Sequence, residues 1–288
     1  MFKKLLVPLD GSSRSAVALP LARTLAKATG GEIVLVRVIP DDLLGADPVV
    51  RAEAENSLAQ IAKELAGAGV HVTTIVQAGA NPAADITATV RRQGADLVVM
   101  ATHGRTGLRR AVLGSVAERV LAESPVPVAV LRPGGHRVTH VTTLLVPVDG
   151  SPGASVALGL AVPLARTARA RIVLLDVVGS VLQYAGLMAA GMAPVAPDPA
   201  WDDEALAAAR SYVEGLSARL RKAGIEAEGR AVLGRAGATI VETANDVGAD
   251  LIVMSTHALT GPARALLGST ADEVVREARR PVLLIRHR

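Results

Sequence analysis

Cysteine is absent from the 288 residues. That excludes disulfides, thiolate nucleophiles and thiolate metal sites. Aromatic side chains are almost absent too, with Phe2, Tyr184, Trp201 and Tyr212 forming the whole set. The core must therefore come from Val, Leu, Ile and Ala, a composition that suits parallel strands covered by helices. The same scarcity removes the stacking platforms used to hold single-stranded nucleic acid. Charge of one sign is not concentrated: 31 Lys and Arg against 27 Asp and Glu leave a net +4, spread along the chain. We read this as an ordinary soluble surface and expect no nucleic-acid partner. G-x-x-x-x-G-K-[ST], G-x-G-x-x-G and G-x-S-x-G are missing, as are metal-ligand clusters. A continuous membrane-spanning run is also missing. The one long uncharged stretch, Val177 to Pro197, is interrupted by Gly179, Gly186, Gly191 and Pro194, so it reads as a mobile apolar loop and no membrane association is expected. The start, Met1-Phe2-Lys3-Lys4, enters a strand pattern without a cleavage signal, and a cytoplasmic location is expected.

What the chain does have, it has twice. LLVPLDGS (Leu5 to Ser12) returns as LLVPVDGS (Leu144 to Ser151), and ATHGRTGLRRAVLGS (Ala101 to Ser115) as STHALTGPARALLGS (Ser255 to Ser269). Such a repeat predicts two homologous domains, residues 1–133 and 143–288, with a linker over 134–142 opened by Pro133-Gly134-Gly135-His136. Asp10 to Asp149 is a shift of 139 positions and Gly114 to Gly268 a shift of 154. The 15 extra residues of the second half fall mainly in the uncharged Val177–Pro197 segment.

Short Val- and Ile-rich runs alternate with amphipathic stretches, the pattern of βαβ units in a parallel sheet. The expected strands are Leu5–Leu9, Glu32–Ile39, Val70–Gln77, Asp96–Ala101 and Val126–Leu131, then Thr143–Val148, Arg171–Val178, Ile225–Leu233, Asp250–Met254 and Val282–Ile285. Helices are expected at Ser13–Thr29, Val50–Ala68, Pro82–Gln93 and Ser115–Glu123. The fold class is thus α/β, two tandem open five-stranded parallel sheets with helices on both faces. Ligands of such sheets bind beyond the carboxyl ends of the strands, where strand order reverses. With strand 1 central, strands 1 and 4 flank that point, and both duplicated motifs are the turns that follow them.

Asp10 closes strand 1, and Gly11-Ser12 turn the chain toward a helix. Its carboxylate can accept hydrogen bonds from ribose hydroxyls, approach a phosphate-bound metal, or cap the helix. In the second motif, Gly104, Gly107 and Gly114 allow close backbone approach. Gly114-Ser115 opens a helix whose free N–H groups favour an anion, and Arg105, Arg109 and Arg110 add positive charge. Met100 and Met254 end strand 4, as core or as the wall of an adenine slot. His103 and His257 recur without a carboxylate neighbour in sequence, so they read as structural or pocket-lining rather than as general bases.

These residues resemble the universal stress protein family in its tandem form, across essentially the whole chain. The family's nucleotide-binding signature, G-x2-G-x9-G-[ST], is met in the first copy by Ala101, Gly104, Gly114 and Ser115, with alanine at the first glycine. The second copy reads Ser255, Ala258, Gly268 and Ser269, and Pro262 removes a backbone donor from its loop. The resemblance implies Rossmann-like domains of strand order 3-2-1-4-5, fifth strands that pair between domains, and ATP, with Mg²⁺ as an optional companion. In the first domain it implies contacts from Pro8, Leu9, Asp10, Val38, Met100, Ala101, Gly104, Arg105, Gly114, Ser115 and Val116. A weaker site in the second would use Pro147, Val148, Asp149, Val177, Met254, Ser255, Gly268, Ser269 and Thr270. The expected function is an ATP-binding stress-response or regulatory protein, nucleotide being held mainly by the first domain. An adenine nucleotide and an unidentified protein are the expected partners, and homodimerisation stays open. The alternatives are a nucleotide-free pseudo-dimeric interaction scaffold and a slow ATPase. No catalytic residue and no protein metal site is assigned.

Overall fold

The computed structural model describes residues 1–42, 48–103, 113–180, 199–257 and 267–287. In the first half β1 (Lys4–Pro8), β2 (Glu32–Ile39), β3 (Val72–Ala78), β4 (Leu97–Ala101) and β5 (Val128–Leu131) alternate with α1 (Ala18–Thr29), α2 (Pro48–Gly67), α3 (Pro82–Gln93) and α4 (Ser115–Glu123). The second half repeats the order with β6 (Thr143–Pro147), α5 (Pro152–Ala168), β7 (Arg171–Val178), α6 (Pro199–Lys222), β8 (Ala227–Leu233), α7 (Ala236–Asp246), β9 (Leu251–His257), α8 (Ser269–Glu277) and β10 (Val282–His287).

All ten strands form one sheet, in the order β3-β2-β1-β4-β5-β10-β9-β6-β7-β8. Each half has the order 3-2-1-4-5 and is parallel throughout. The halves meet at an antiparallel seam, where Val130 lies opposite Val282 and Ala129 opposite Leu283. Because helices cover both faces, alternate residues of one strand enter different cores: Leu5 and Val7 join one cluster and Leu6 the other. This is why these strands read as unbroken apolar runs. With the seam antiparallel, the carboxyl ends of β1 and β4 point opposite to those of β6 and β9.

The expected elements differ from the observed ones mainly at their ends. β9 runs on to His257 and β10 to His287 because these extensions pair with each other, Ser255 beside Ile285 and His257 beside His287. The first helix, expected from Ser13, instead begins as a 3₁₀ turn over Ser15–Val17. Ser12 explains the difference. Its hydroxyl donates to Asp10 at 2.6 Å and accepts the Ser15 N–H at 3.2 Å, which holds a tight turn. In the second half Ser151 caps α5 directly, accepting the Ala154 N–H at 3.2 Å ahead of Pro152. Most of the uncharged segment expected to be a loop, from 181 to 197, lies outside the described residues. Among the described residues no helix is long and apolar enough to cross a membrane.

Candidate functional site

Each half carries a cavity beyond the carboxyl ends of its first and fourth strands. The first, about 250 Å³, is lined by Pro8, Leu9, Asp10, Val38, Met100, Ala101, Gly114, Ser115 and Val116. Gly104 and Arg105, expected beside them, lie outside the described residues. The second cavity, about 320 Å³, is lined by Pro147, Val148, Asp149, Val177, Met254, Ser255, Gly268, Ser269 and Thr270. The structure thus gathers every described residue of the two expected sets. Volume does not mark the second as degenerate. Any difference between the two must be chemical.

The first cavity has an apolar floor and a polar rim. Asp10 is half-buried, and its Oδ1 accepts the Ser12 N–H at 2.9 Å as well as the Ser12 hydroxyl. The carboxylate therefore both fixes its turn and faces the cavity, so capping and ligand contact are not exclusive. Gly11 makes the turn possible with φ +83°. Across the cavity, Gly114 donates to the Thr102 carbonyl at 2.9 Å and starts α4 in extended conformation, with no side-chain cap on the helix. The first N–H groups of α4 face the cavity through Ser115 and Val116.

Among the described residues, His103 holds the buried side-chain polar atom that has no partner. Its Nδ1 lies 3.0 Å from the Thr102 hydroxyl. Its Nε2 is buried and has no hydrogen-bond partner among the described residues. An orphaned buried nitrogen costs roughly 1–3 kcal/mol. Burial holds the imidazole below its usual range, and the charges of Arg132 and Arg14 push it further down. A neutral imidazole keeps one nitrogen as acceptor and one as donor. An adenine nucleotide fits this set: an apolar slab beside Met100 and Val38, a carboxylate for ribose hydroxyls, and a helix N-terminus for phosphate.

The second cavity keeps the outline and changes the groups. Asp149 is exposed, and its Oδ1 accepts the Ser151 N–H at 3.0 Å. Ser255 replaces Ala101, and the Gly268 N–H goes to the Thr256 hydroxyl at 3.2 Å. Asp176, on β7, has its carboxyl pushed up by burial and then by the charge of Asp149. Among the described residues no group of three or more His, Cys, Asp or Glu could hold a metal ion.

Sequence reasoning overlooked several walls. Ser15 and Val36 line the first cavity, and α3 contributes Pro82 and Ile86. The signal was present in the repeat: Pro82 and Ile86 return at the same shift as Ala236 and Ile240, which line the second cavity.

The comparisons agree with this architecture. The profile of the Universal stress protein family matches residues 1–132 and again 140–286. A universal stress protein of Methanocaldococcus jannaschii is 32% identical over 142 residues, covering 46% of this chain and 83% of its own length. Another, from Bacillus subtilis, is 31% identical over 151 residues and covers 46% of this chain and 100% of its own. Over the full length, the crystal structure of a universal stress protein from Archaeoglobus fulgidus superposes with a TM-score of 0.73 at 22% identity, covering 99% of this chain and 96% of that one. At that identity the superposition speaks for the fold alone.

Proposed function

This chain belongs to the universal stress protein family, and we propose that it is a cytoplasmic ATP-binding regulatory protein whose first half holds the nucleotide. The division we propose is 1–133 and 143–288, joined by 134–142. One observation carries the reading: Asp10, His103 and the α4 N-terminus converge on one largely apolar cavity at the strand switch point. Adenine would lie against Met100 and Val38, ribose against Asp10, and phosphates toward Gly114 and Ser115. Mg²⁺, where present, would travel with the phosphates. Binding would bias the surface offered to a protein partner or a second copy of the chain.

The test is nucleotide content and thermal stability of the purified full chain. We expect one adenine nucleotide per chain, or a melting temperature that rises with ATP and Mg²⁺, since a ligand at 100-fold its Kd adds about 2.7 kcal/mol. Nucleotide-free protein whose melting ignores millimolar ATP would sink the proposal.

A second reading is favoured by the seam. Because β5 and β10 join both halves into one sheet, the chain is a ready-made pseudo-dimer, and a nucleotide-free interaction scaffold is the alternative. Partner binding that is indifferent to ATP and to Asp10→Ala would select it.

A further inference from the structure

The turn after β1 has two sides. The first cavity lies on one, where Asp10 and Val36 line it. On the other, between the turn, β2 and α2, lies a separate pocket of about 180 Å³. Successive residues of a strand face opposite sides of a sheet, so Val36 lines the first space and Arg37 the second. Leu9 and Ser15 line both and form the wall between them. Arg37 is the one charged side chain among the residues that line this pocket. Its guanidinium is set by the turn: a Cβ on Gly11 would stand 3.0 Å from its Cζ and Nη2. Hydroxyl-bearing residues reach the pocket from two further elements, Ser12 and Ser13 on the turn and Ser57 on α2. The Ser12 hydroxyl is committed to Asp10 and to the Ser15 N–H. Ser13 and Ser57 therefore supply the donors that join the guanidinium, and Leu58 and Ile61 close the apolar side.

A guanidinium carries five N–H donors, so an existing partner does not exhaust it. A planar carboxylate offers two oxygens, which one guanidinium can satisfy alone. A tetrahedral phosphate offers more, and it uses the donors of the turn and of α2 as well. The pocket is smaller than the roughly 300 Å³ at which drug-sized ligand pockets begin, which suits a single phosphate group better than a nucleotide. The repeat supplies an internal control. With Asp10 set on Asp149, Arg37 falls on Asp176 and Ser13 on Pro152. With Gly69 set on Gly224, as the registers of β3 and β8 require, Ser57 falls on Tyr212. The cation and both hydroxyls are thus replaced together in the second half, where Tyr212 packs partly buried against the core.

We propose that this pocket is a phosphate site found in the first half alone. It takes a phosphate dianion, free or as the terminal group of a small metabolite, on Arg37, Ser13 and Ser57. It is distinct from the first cavity and does not depend on nucleotide being bound there.

Equilibrium dialysis of the full chain against labelled inorganic phosphate, at fixed ionic strength and with one equivalent of ATP present, tests it. One phosphate per chain should be retained. Arg37→Gln and Ser57→Tyr should each weaken it at least about tenfold, the loss expected when a charge-assisted contact is removed or the space is filled. Asp176→Asn should leave it unchanged. Ser57→Tyr copies a residue that the second half accommodates at the same place, and an unaltered thermal melt reports that the variant is folded. Phosphate that ATP displaces, phosphate indifferent to both variants, or equally effective displacement by acetate would overturn the proposal. Displacement by glycerol 3-phosphate identifies the terminal group of a metabolite as the ligand, and resistance to it identifies free phosphate. If the chain binds no ATP while Arg37- and Ser57-dependent phosphate persists, the nucleotide reading fails and this one stands.

Discussion

The guanidinium of Arg132, just past the end of β5, donates a hydrogen bond to the backbone carbonyl of Arg276 in the last turn of α8. The two halves are thus tied side chain to backbone as well as by the β5–β10 seam. The repeat counterpart of Arg132 is Arg286, which is exposed. Hydrogen bonds from charged groups contribute about 1.5–3 kcal/mol. Arg132→Ala should therefore lower the unfolding free energy by about 1–3 kcal/mol in urea titrations, whereas Arg286→Ala should stay within about 0.5 kcal/mol. Equal small effects would show that the seam alone holds the halves together.

Arg132 also reaches the first cavity through His103. Burial, then Arg132 and Arg14, hold that imidazole below its ordinary value of 6.5. In acid the unfolded chain takes up a proton that the folded chain refuses. Stability from this residue is thus complete above 6.5 and declines as pH falls below it. Comparing melting curves between pH 8 and pH 5, His103→Gln should flatten this part of the decline. In nuclear magnetic resonance titrations Arg132→Ala should move the His103 midpoint upward, and no movement would place the guanidinium elsewhere in solution.

The repeat and the alternation of apolar runs made the sheet legible, because both depend only on spacing and on strands buried on two faces. Glu32–Ile39, Pro82–Gln93 and Arg171–Val178 needed no adjustment. The cavity walls from β1 and β4 were legible because the motifs sit at a topological switch point. Those from α3 left a fainter trace, Ile86 returning as Ile240, because Pro82 and Ile86 belong to a helix that no motif marks.

Asp10 and Asp149 separate the two cavities by experiment. Asp10→Ala should weaken ATP binding at least tenfold, about 1.4 kcal/mol, with Asp149→Ala changing it little. Asp10→Asn is the useful control, because an amide oxygen can still accept the Ser12 N–H that Asp10 now receives at 2.9 Å. It keeps the turn and removes the charge. Isothermal titration of the three variants decides; equal losses from the two aspartates would refute the asymmetry.

Asp176 should be a liability for stability at neutral pH. Its folded-state carboxyl is raised above the ordinary 3.8, first by burial and then by Asp149. The folded chain then binds a proton more tightly than the unfolded one. Stability from this group is full at acid pH and is lost as pH rises through the folded value. Asp176→Asn should therefore raise the melting temperature at pH 7 and gain nothing near pH 3. A variant that melts lower at pH 7 would mean that the carboxylate makes a contact its amide cannot.

Two glycines at equivalent places should differ in what they tolerate. A Cβ on Gly114 would stand 2.8 Å from the Thr102 carbonyl oxygen, the same group that accepts the Gly114 N–H at 2.9 Å. Backbone lies on that side, so relief requires pulling α4 away from β4. Overpacking of this kind costs about 1–3 kcal/mol. At Gly268 nothing among the described residues stands within 4 Å of the same position, and its N–H reaches the Thr256 side chain instead. Gly268→Ala should therefore fall within about 0.5 kcal/mol of the wild type in urea unfolding. Because Ser115 and Val116 follow Gly114 into the first cavity, Gly114→Ala should also weaken ATP binding by displacing the N–H groups of α4. Destabilisation without loss of ATP affinity would mean that the phosphates lie away from that helix, and the first cavity would need another anchor for them.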